Sequence, residues 1–130
     1  MNFEQFSMDS RLLTGIKRLG YTEATPIQAA ALPAALAGSD IIGTAQTGTG
    51  KTAAFVLPIL NTLLRGPRNR ARALIVTPTR ELAEQIHDNI RELGAGTRLR
   101  SATIYGGVGA GPQIRALQEG VEILVACPGR

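Results

Sequence analysis

The stretch Ala45-Gln46-Thr47-Gly48-Thr49-Gly50-Lys51-Thr52 constrains the fold more than any other part of the chain. Ahead of it, the apolar run Ile41-Ile42-Gly43-Thr44-Ala45 predicts a short buried strand over 40–45. Behind it, Ala53-Ala54-Phe55-Val56-Leu57 predicts the start of a buried helix. A strand, a glycine loop, Lys-Thr and a helix form the arrangement that cradles phosphate groups. Glycines at 48 and 50 let backbone N–H groups converge on an anion without Cβ atoms in the way. The helix beginning at Lys51 aims its unpaired N–H groups and positive dipole end at the same point. Lys51 then reaches terminal phosphates, and the Thr52 hydroxyl can ligate a Mg²⁺ that the phosphates carry. Ala45 stands where the strict phosphate-loop pattern asks for glycine. The bland alternative, a Gly/Thr-rich connection that binds nothing, leaves the flanking strand and helix unexplained.

The chain is long enough for one domain of ordinary size, and 44% of its 130 residues are hydrophobic, so a core can form. Aromatics are only 4% and Trp is absent, which makes that core one of Ala, Leu, Ile and Val. No apolar run approaches the ~18 residues of a membrane span. The opening Met1-Asn2-Phe3-Glu4 lacks a basic-then-apolar leader, which predicts a cytoplasmic protein. The single cysteine, Cys127, excludes an intramolecular disulfide and a multi-cysteine metal site, and is expected as a small apolar residue at a strand end. Net charge is +4, and all but Lys17 and Lys51 of the 14 basic residues are Arg. The densest basic segment, Arg65 to Arg72, contains Gly66-Pro67 and is expected to be a solvated loop rather than a nucleic-acid contact.

Taken in order, Ser7 to Leu19 predicts an amphipathic helix ended by Gly20, with Leu12, Leu13, Ile16 and Leu19 on one face. Thr25-Pro26 is a helix start, and that helix runs to about Ala37. After the strand at 40–45 comes a helix over 51–64, with Pro58 as a kink. Further strands are predicted at 73–77, 102–105 and 121–126. Between them lie a helix opened by Thr79, with Leu82, Ile86, Ile90 and Leu93 at helical spacing, and a shorter one after Gly111-Pro112, with Ile114 and Leu117 inward. His87 is expected on the exposed side of the Thr79 helix, as surface decoration. Alternating apolar strands and helices predict an α/β fold, a parallel sheet with helices on both faces. Ligands of such sheets gather at the carboxyl ends of the strands. Polar or glycine motifs stand at all four predicted ends, at 46–52, 78–81, 106–107 and 127–130.

These residues resemble the first RecA-like domain of DEAD-box ATP-dependent RNA helicases. Gly20-Tyr21-Thr22-Glu23-Ala24-Thr25-Pro26-Ile27-Gln28 is similar to that family's adenine-reading Q motif, and 45–52 to its phosphate loop, where Ala is common at the first position. Pro78-Thr79-Arg80-Glu81-Leu82-Ala83 resembles the RNA-contacting motif Ia, Gly106-Gly107 the double-glycine motif, and Cys127-Pro128-Gly129-Arg130 the Thr-Pro-Gly-Arg motif. The resemblance implies an incomplete RecA-like P-loop NTPase sheet, with a Q-motif region over 1–38 and a βα core over 39–130. It implies ATP and Mg²⁺ as cofactors, with Lys51 and Thr52 at the chemistry and Ala45 to Thr52 around the phosphates. Gln28 would read adenine, since its amide matches the N6–N7 donor–acceptor pair that guanine lacks. Tyr21 belongs to the same motif. Phe3, 17 positions before Gly20, would stack on the base; Phe6 is the alternative, and either can instead anchor the N-terminal arm. Pro78, Thr79, Arg80, Gly106, Gly107, Gly129 and Arg130 would meet an RNA backbone, with little sequence preference. As the last residue, Arg130 is expected to be frayed.

The sequence departs from the family pattern in places. Cys127 replaces the usual Thr, exchanging a strong hydroxyl donor for a weak thiol. No adjacent Asp-Glu pair occurs, so the family's Asp-Glu-Ala-Asp motif is absent, as is its second RecA-like domain. Phosphoryl transfer depends on charge stabilisation from those parts, and the 130 residues alone are expected to have no appreciable ATPase or unwinding activity. The resemblance also places absent strands between the phosphate-loop strand and the motif Ia group, which would leave open sheet edges. The chain is therefore expected to be a piece of a longer protein. Two other functions fit parts of the pattern: an adenine-nucleotide module without RNA function, and a DNA-directed translocase.

Overall fold

In the computed structural model, which describes residues 1–46, 48 and 50–130, three short strands form one parallel sheet. They are β1 (Ala73–Val76), β2 (Ser101–Ile104) and β3 (Ile123–Ala126), in the order β1-β3-β2. Ala73 and Ser101 lie opposite Ile123, and Val76 and Ile104 opposite Ala126, so the three strands start and stop together. The helices are α1 (Ser10–Arg18), α2 (Pro26–Leu36), α3 (Lys51–Leu63), α4 (Arg80–Leu93) and α5 (Gly111–Glu119). None of them is long and apolar enough to cross a membrane.

Local chemistry sets the helix starts. Asp9 caps α1 by accepting from the Arg11 N–H, which moves its start from the expected Ser7 to Ser10. Thr25 and Gln28 form a reciprocal capping box at α2, with Pro26 in the first position. Thr79 caps α4 through the Leu82 N–H at 3.2 Å. Both α2 and α3 continue through their internal prolines, Pro33 and Pro58.

The core lies on one face of the sheet. Ile75, Ile123 and Val125 meet Leu57 and Leu60 of α3, Ala83, Ile86 and Ile90 of α4, and Leu12 and Ile16 of α1 within one buried cluster. The steps from β1 to β2 and from β2 back to β3 run in opposite directions across the sheet. Right-handed crossovers therefore put α4 and α5 on opposite faces, which gives the α/β architecture with helices on both sides. The second face is thinly covered: Leu74 and Val76 of β1 are 63% and 62% exposed. The inward placement expected for Ile114 and Leu117 does not occur, because α5 buries no residue and both side chains are half exposed.

The strand expected over 40–45 does not form. Residues 40–46 pair with no strand, and Ile42 is 98% exposed. An apolar run becomes a parallel strand only where neighbours supply ladder hydrogen bonds and cross-strand contacts. The sheet ends at β1, so the run has neither.

The amino ends of the strands are tied by a buried carboxylate. Glu122 accepts from the backbone N–H groups of Asn69 at 2.6 Å and Arg100 at 2.8 Å. Its own carbonyl accepts from Arg72 and Ala73. Arginines of the basic loop donate to carbonyls here: Arg72 to Leu63, Pro67 and Arg65, and Arg68 to Thr97. The loop lies at the amino ends of the strands, and these two guanidiniums are occupied by the fold. His87 is likewise no surface decoration. Its Nδ1 lies 2.9 Å from Ser101 Oγ, joining α4 to β2, and burial pushes its pKa down.

Candidate nucleotide and nucleic-acid site

The predicted residues form two groups, one around the starts of α2 and α3 and one at the carboxyl ends of the strands. The first surrounds the start of α3. Gly50 stands at the N-cap with φ 83° and ψ 21°, a left-handed conformation natural to glycine, and no side chain caps the helix. The first N–H groups of α3 are thus left for an anion. The Lys51 Nζ donates to the Ala45 carbonyl at 2.6 Å, closing the loop on itself. Thr52, partly buried, lies one residue inside the helix. Gln46 and Gly48 are exposed, whereas Thr47 and Thr49 lie outside the described residues.

Gln28 brings α2 onto this loop. It is 4% exposed, and its Oε1 accepts from the Thr25 N–H at 3.0 Å while its Nε2 donates to the Gly50 carbonyl at 3.1 Å. The backbone angle favours glycine here, and a Cβ on Gly50 would collide with that Nε2 and push the amide off the loop. In this conformation the Gln28 amide, assigned in the sequence to adenine, joins the two motifs through both its oxygen and its nitrogen. Tyr21 and Phe3 line a separate cleft of about 200 Å³ with Asn2 and Thr22, and Gln28 does not line it. Phe3 is 3% exposed and packs on Phe6 with ring centroids 6.3 Å apart, so its ring anchors the N-terminal arm here. A base would reach it only after that arm shifts.

The metal question is one of donor chemistry. Among the described residues no group of three or more His, Cys, Asp or Glu stands together. Thr52 could add one hydroxyl oxygen to an ion held mainly by phosphates, the kind of oxygen ligand that Mg²⁺ takes.

A larger cleft of about 640 Å³ runs between α2 and α3, walled by side chains such as Ile27, Phe55 and Ile59, with Lys51 at one side. Its apolar walls supply no cradle for phosphate. Ile41 and Gly43 of the unpaired 40–45 run also line it, as do Arg72 and Ala73 at the start of β1.

The second group forms a rim at the carboxyl ends of the strands. Ladder bonds continue one residue past them, from Thr77 N to Ala126 O and from Cys127 N to Ile104 O, both 2.9 Å, so three segments leave the sheet side by side. Pro78, Thr79, Arg80, Gly106, Gly107, Gly129 and Arg130 are all exposed on these segments. Cys127 is partly buried and packs against the core, as expected of a small apolar residue, while its Sγ also shares a hydrogen bond of 3.6 Å with the Thr77 hydroxyl. Arg130 is not frayed in this structure: its Nη1 donates to the Val108 carbonyl at 2.8 Å, linking the 106–108 turn to the chain's last residues.

Sequence reasoning missed Tyr105. Its ring lies under the Arg80 guanidinium, 5.9 Å from Cζ to centroid, and its hydroxyl donates to Glu84 Oε1 at 3.1 Å. That bond pushes the phenol pKa up. The one available signal was an aromatic residue immediately before Gly106-Gly107.

Comparison with known proteins gives the family. The family model described as DEAD/DEAH box helicase matches residues 25–130. The ATP-dependent RNA helicase RhlB of Xanthomonas oryzae pv. oryzae is 46% identical over the whole chain, and the chain spans 24% of that relative's length. The DEAD-box ATP-dependent RNA helicase CshA of Bacillus licheniformis is also 46% identical over the whole chain, which spans 26% of it. Among solved structures, the RNA-helicase Prp28 from Chaetomium thermophilum bound to ADP superposes with a TM-score of 0.90 at 45% identity. That match covers 99% of this chain and 32% of Prp28. A DEAD box protein from the hyperthermophile Methanococcus jannaschii gives 0.92 at 40% identity, covering all of this chain and 35% of its own. The chain thus spans about a quarter of the curated relatives and resembles the RecA-like domain of ATP-dependent RNA helicases. A family match over most of the residues, with relatives of such identity along all of them, makes this chain a member of the DEAD/DEAH box helicase family.

Proposed function

We propose that this chain is the adenine-nucleotide and RNA-backbone binding part of an ATP-dependent RNA helicase. The observation that carries the nucleotide half is the hydrogen bond from Gln28 to Gly50, which seats the adenine-reading helix against the phosphate loop. On nucleotide binding, Lys51 exchanges the Ala45 carbonyl for a phosphate, a stronger charge-assisted partner. The free N–H groups at the start of α3 receive the same phosphates, and Thr52 meets their Mg²⁺. Tyr21 and Phe3 belong to the base side of the site, Phe3 by moving out of the core with its arm. The exposed rim of Pro78, Thr79, Arg80, Gly106, Gly107, Gly129 and Arg130 takes the sugar–phosphate backbone of single-stranded RNA. Residues 1–38 serve the base and 39–130 the phosphates and RNA. Hydrolysis draws on carboxylates and a second RecA-like domain that these 130 residues do not contain, and the chain alone is expected not to turn over ATP.

A thermal melt with Mg²⁺ alone, with ADP and with GDP tests the nucleotide half. A ligand at ~100 times its Kd adds about 2.7 kcal/mol, a clear shift for a domain of this size. A melt raised by ADP and not by GDP is the expected result. Equal shifts would remove the adenine role of Gln28, and no shift would remove the site.

A further inference from the structure

Arg80 reaches the rim from the first position of α4, and its surroundings leave its charge unpaired. Among the described residues it takes part in no ion pair. The obvious partner is Glu84, four residues on along the same helix, where side chains of opposite charge normally meet. That carboxylate is turned away: it accepts the Tyr105 hydroxyl at 3.1 Å. Tyr105 also offers Arg80 the face of its ring. On the far side Gly107, with φ 82°, passes close enough that a Cβ there would stand 2.9 Å from Arg80 Nη1. The ring, the diverted carboxylate and the glycine together fix where the guanidinium sits and keep its donors open.

We propose that Tyr105 is a positioning residue for RNA: its ring carries the Arg80 guanidinium, and its hydroxyl holds Glu84 off that charge, leaving it for a backbone phosphate. The inference rests on the reading of the rim as an RNA site and adds to it the residue that readies the cation. It also explains why a half-buried tyrosine, rather than any apolar residue, follows β2: a phenylalanine would supply the ring but would free Glu84 to neutralise Arg80.

The test is an NMR titration of the ¹⁵N-labelled 130-residue chain with a ten-nucleotide oligouridylate, at several salt concentrations. Arg80→Ala should weaken binding and flatten the salt dependence by about 0.7, the amount for one phosphate contact on a single strand. Tyr105→Phe should weaken binding about 1.5- to 2-fold, the size of the i, i+4 pairing that Glu84 would then make with Arg80. Glu84→Gln added to Tyr105→Phe should restore the affinity, and Tyr105→Phe added to Arg80→Ala should change nothing further. A loss in Tyr105→Phe that Glu84→Gln leaves in place, or that persists without Arg80, would overturn the positioning role while the RNA reading stands. Unchanged affinity and salt slope in Arg80→Ala would overturn the RNA contact itself, and the positioning role with it. The amide spectrum of each free variant reports whether the fold is retained, and Tyr105→Phe is conservative enough to keep it.

Discussion

Gln28 Nε2 and the Gly50 carbonyl, 3.1 Å apart and 22 residues distant in sequence, join the start of α2 to the start of α3. The same amide accepts the Thr25 N–H through its oxygen, so one side chain holds a helix cap and a phosphate loop at once. Glutamate at this position keeps the acceptor and loses the donor; alanine loses both. Gln28→Ala is expected to cost about 1–2 kcal/mol, the loss of a cap and a buried hydrogen bond, and to lower the melting temperature accordingly. Gln28→Glu should keep more of the stability yet show no preference for ADP over GDP. Melting curves of both variants with each nucleotide check the split. Equal stability losses would mean that the capping acceptor carries no weight.

Gly50 faces the other side of that contact. Alanine there must adopt φ near +83° and place a Cβ against Gln28 Nε2. Strained backbone of this kind costs roughly 1–3 kcal/mol. Gly50→Ala should therefore lower the melting temperature and abolish the ADP shift. Because part of the cost is a clash with one named side chain, Gln28→Ala should recover some of it, a non-additivity that a double-mutant cycle measures.

These two residues also show what the sequence made legible. Thr25-Pro26 and Lys51 opening a helix are local signals, written in caps and periodicity, and the structure forms both where expected. The strand at 40–45 failed because an apolar run states only a preference for burial. Whether Ile41 and Ile42 pair depends on strands elsewhere, and the sheet that forms ends at β1. Ile114 and Leu117 failed similarly: their helical spacing is real, but α5 packs too lightly on β2 to bury either side chain. On the rim, Arg80 and the glycines were visible as motifs. The Tyr105–Glu84 bond was not, since it joins residues from α4 and the end of β2 whose meeting is a product of the register. The charge of the 65–72 segment was the least informative feature, because Arg68 and Arg72 turn out to serve backbone carbonyls.

Glu122 carries the next prediction. Its buried carboxylate accepts from Asn69 and Arg100 N–H groups on either side of β3, and so aligns the amino ends of all three strands. Glutamine would present an NH₂ group to one of those N–H donors and leave that donor unsatisfied. Glu122→Gln is expected to destabilise the chain by about 1–3 kcal/mol. Hydrogen exchange gives the finer check: the Asn69 and Arg100 amides should lose protection more than those in the middle of α3. A uniform change would mean that the carboxylate stabilises the core generally and does not tie these two loops.

Asp9 makes the stability of the N-terminal region depend on acid. Its carboxylate accepts the Arg11 N–H as the cap of α1, and Arg11 grips it with Nε at 2.9 Å and Nη2 at 3.0 Å. Its backbone N–H donates to Asn61 at 2.9 Å, which ties the cap to α3. The Arg11 side-chain bonds, with the backbone N–H behind them, lower its pKa from 3.8 to about 2. A carboxyl lowered in the folded state binds its proton more readily when unfolded. Its contribution is therefore complete above 3.8 and disappears as the pH falls through about 2. Asp9→Asn keeps a capping oxygen but abolishes the charge, so the wild-type chain should be the more stable of the two at pH 5. The gap should stay under about 1 kcal/mol, because the Arg11 partner is exposed to solvent and salt. Urea midpoints for both chains from pH 6 down to pH 2 should converge below 3.8. A gap that stays constant over that range would show that Arg11 does not favour the ionised cap.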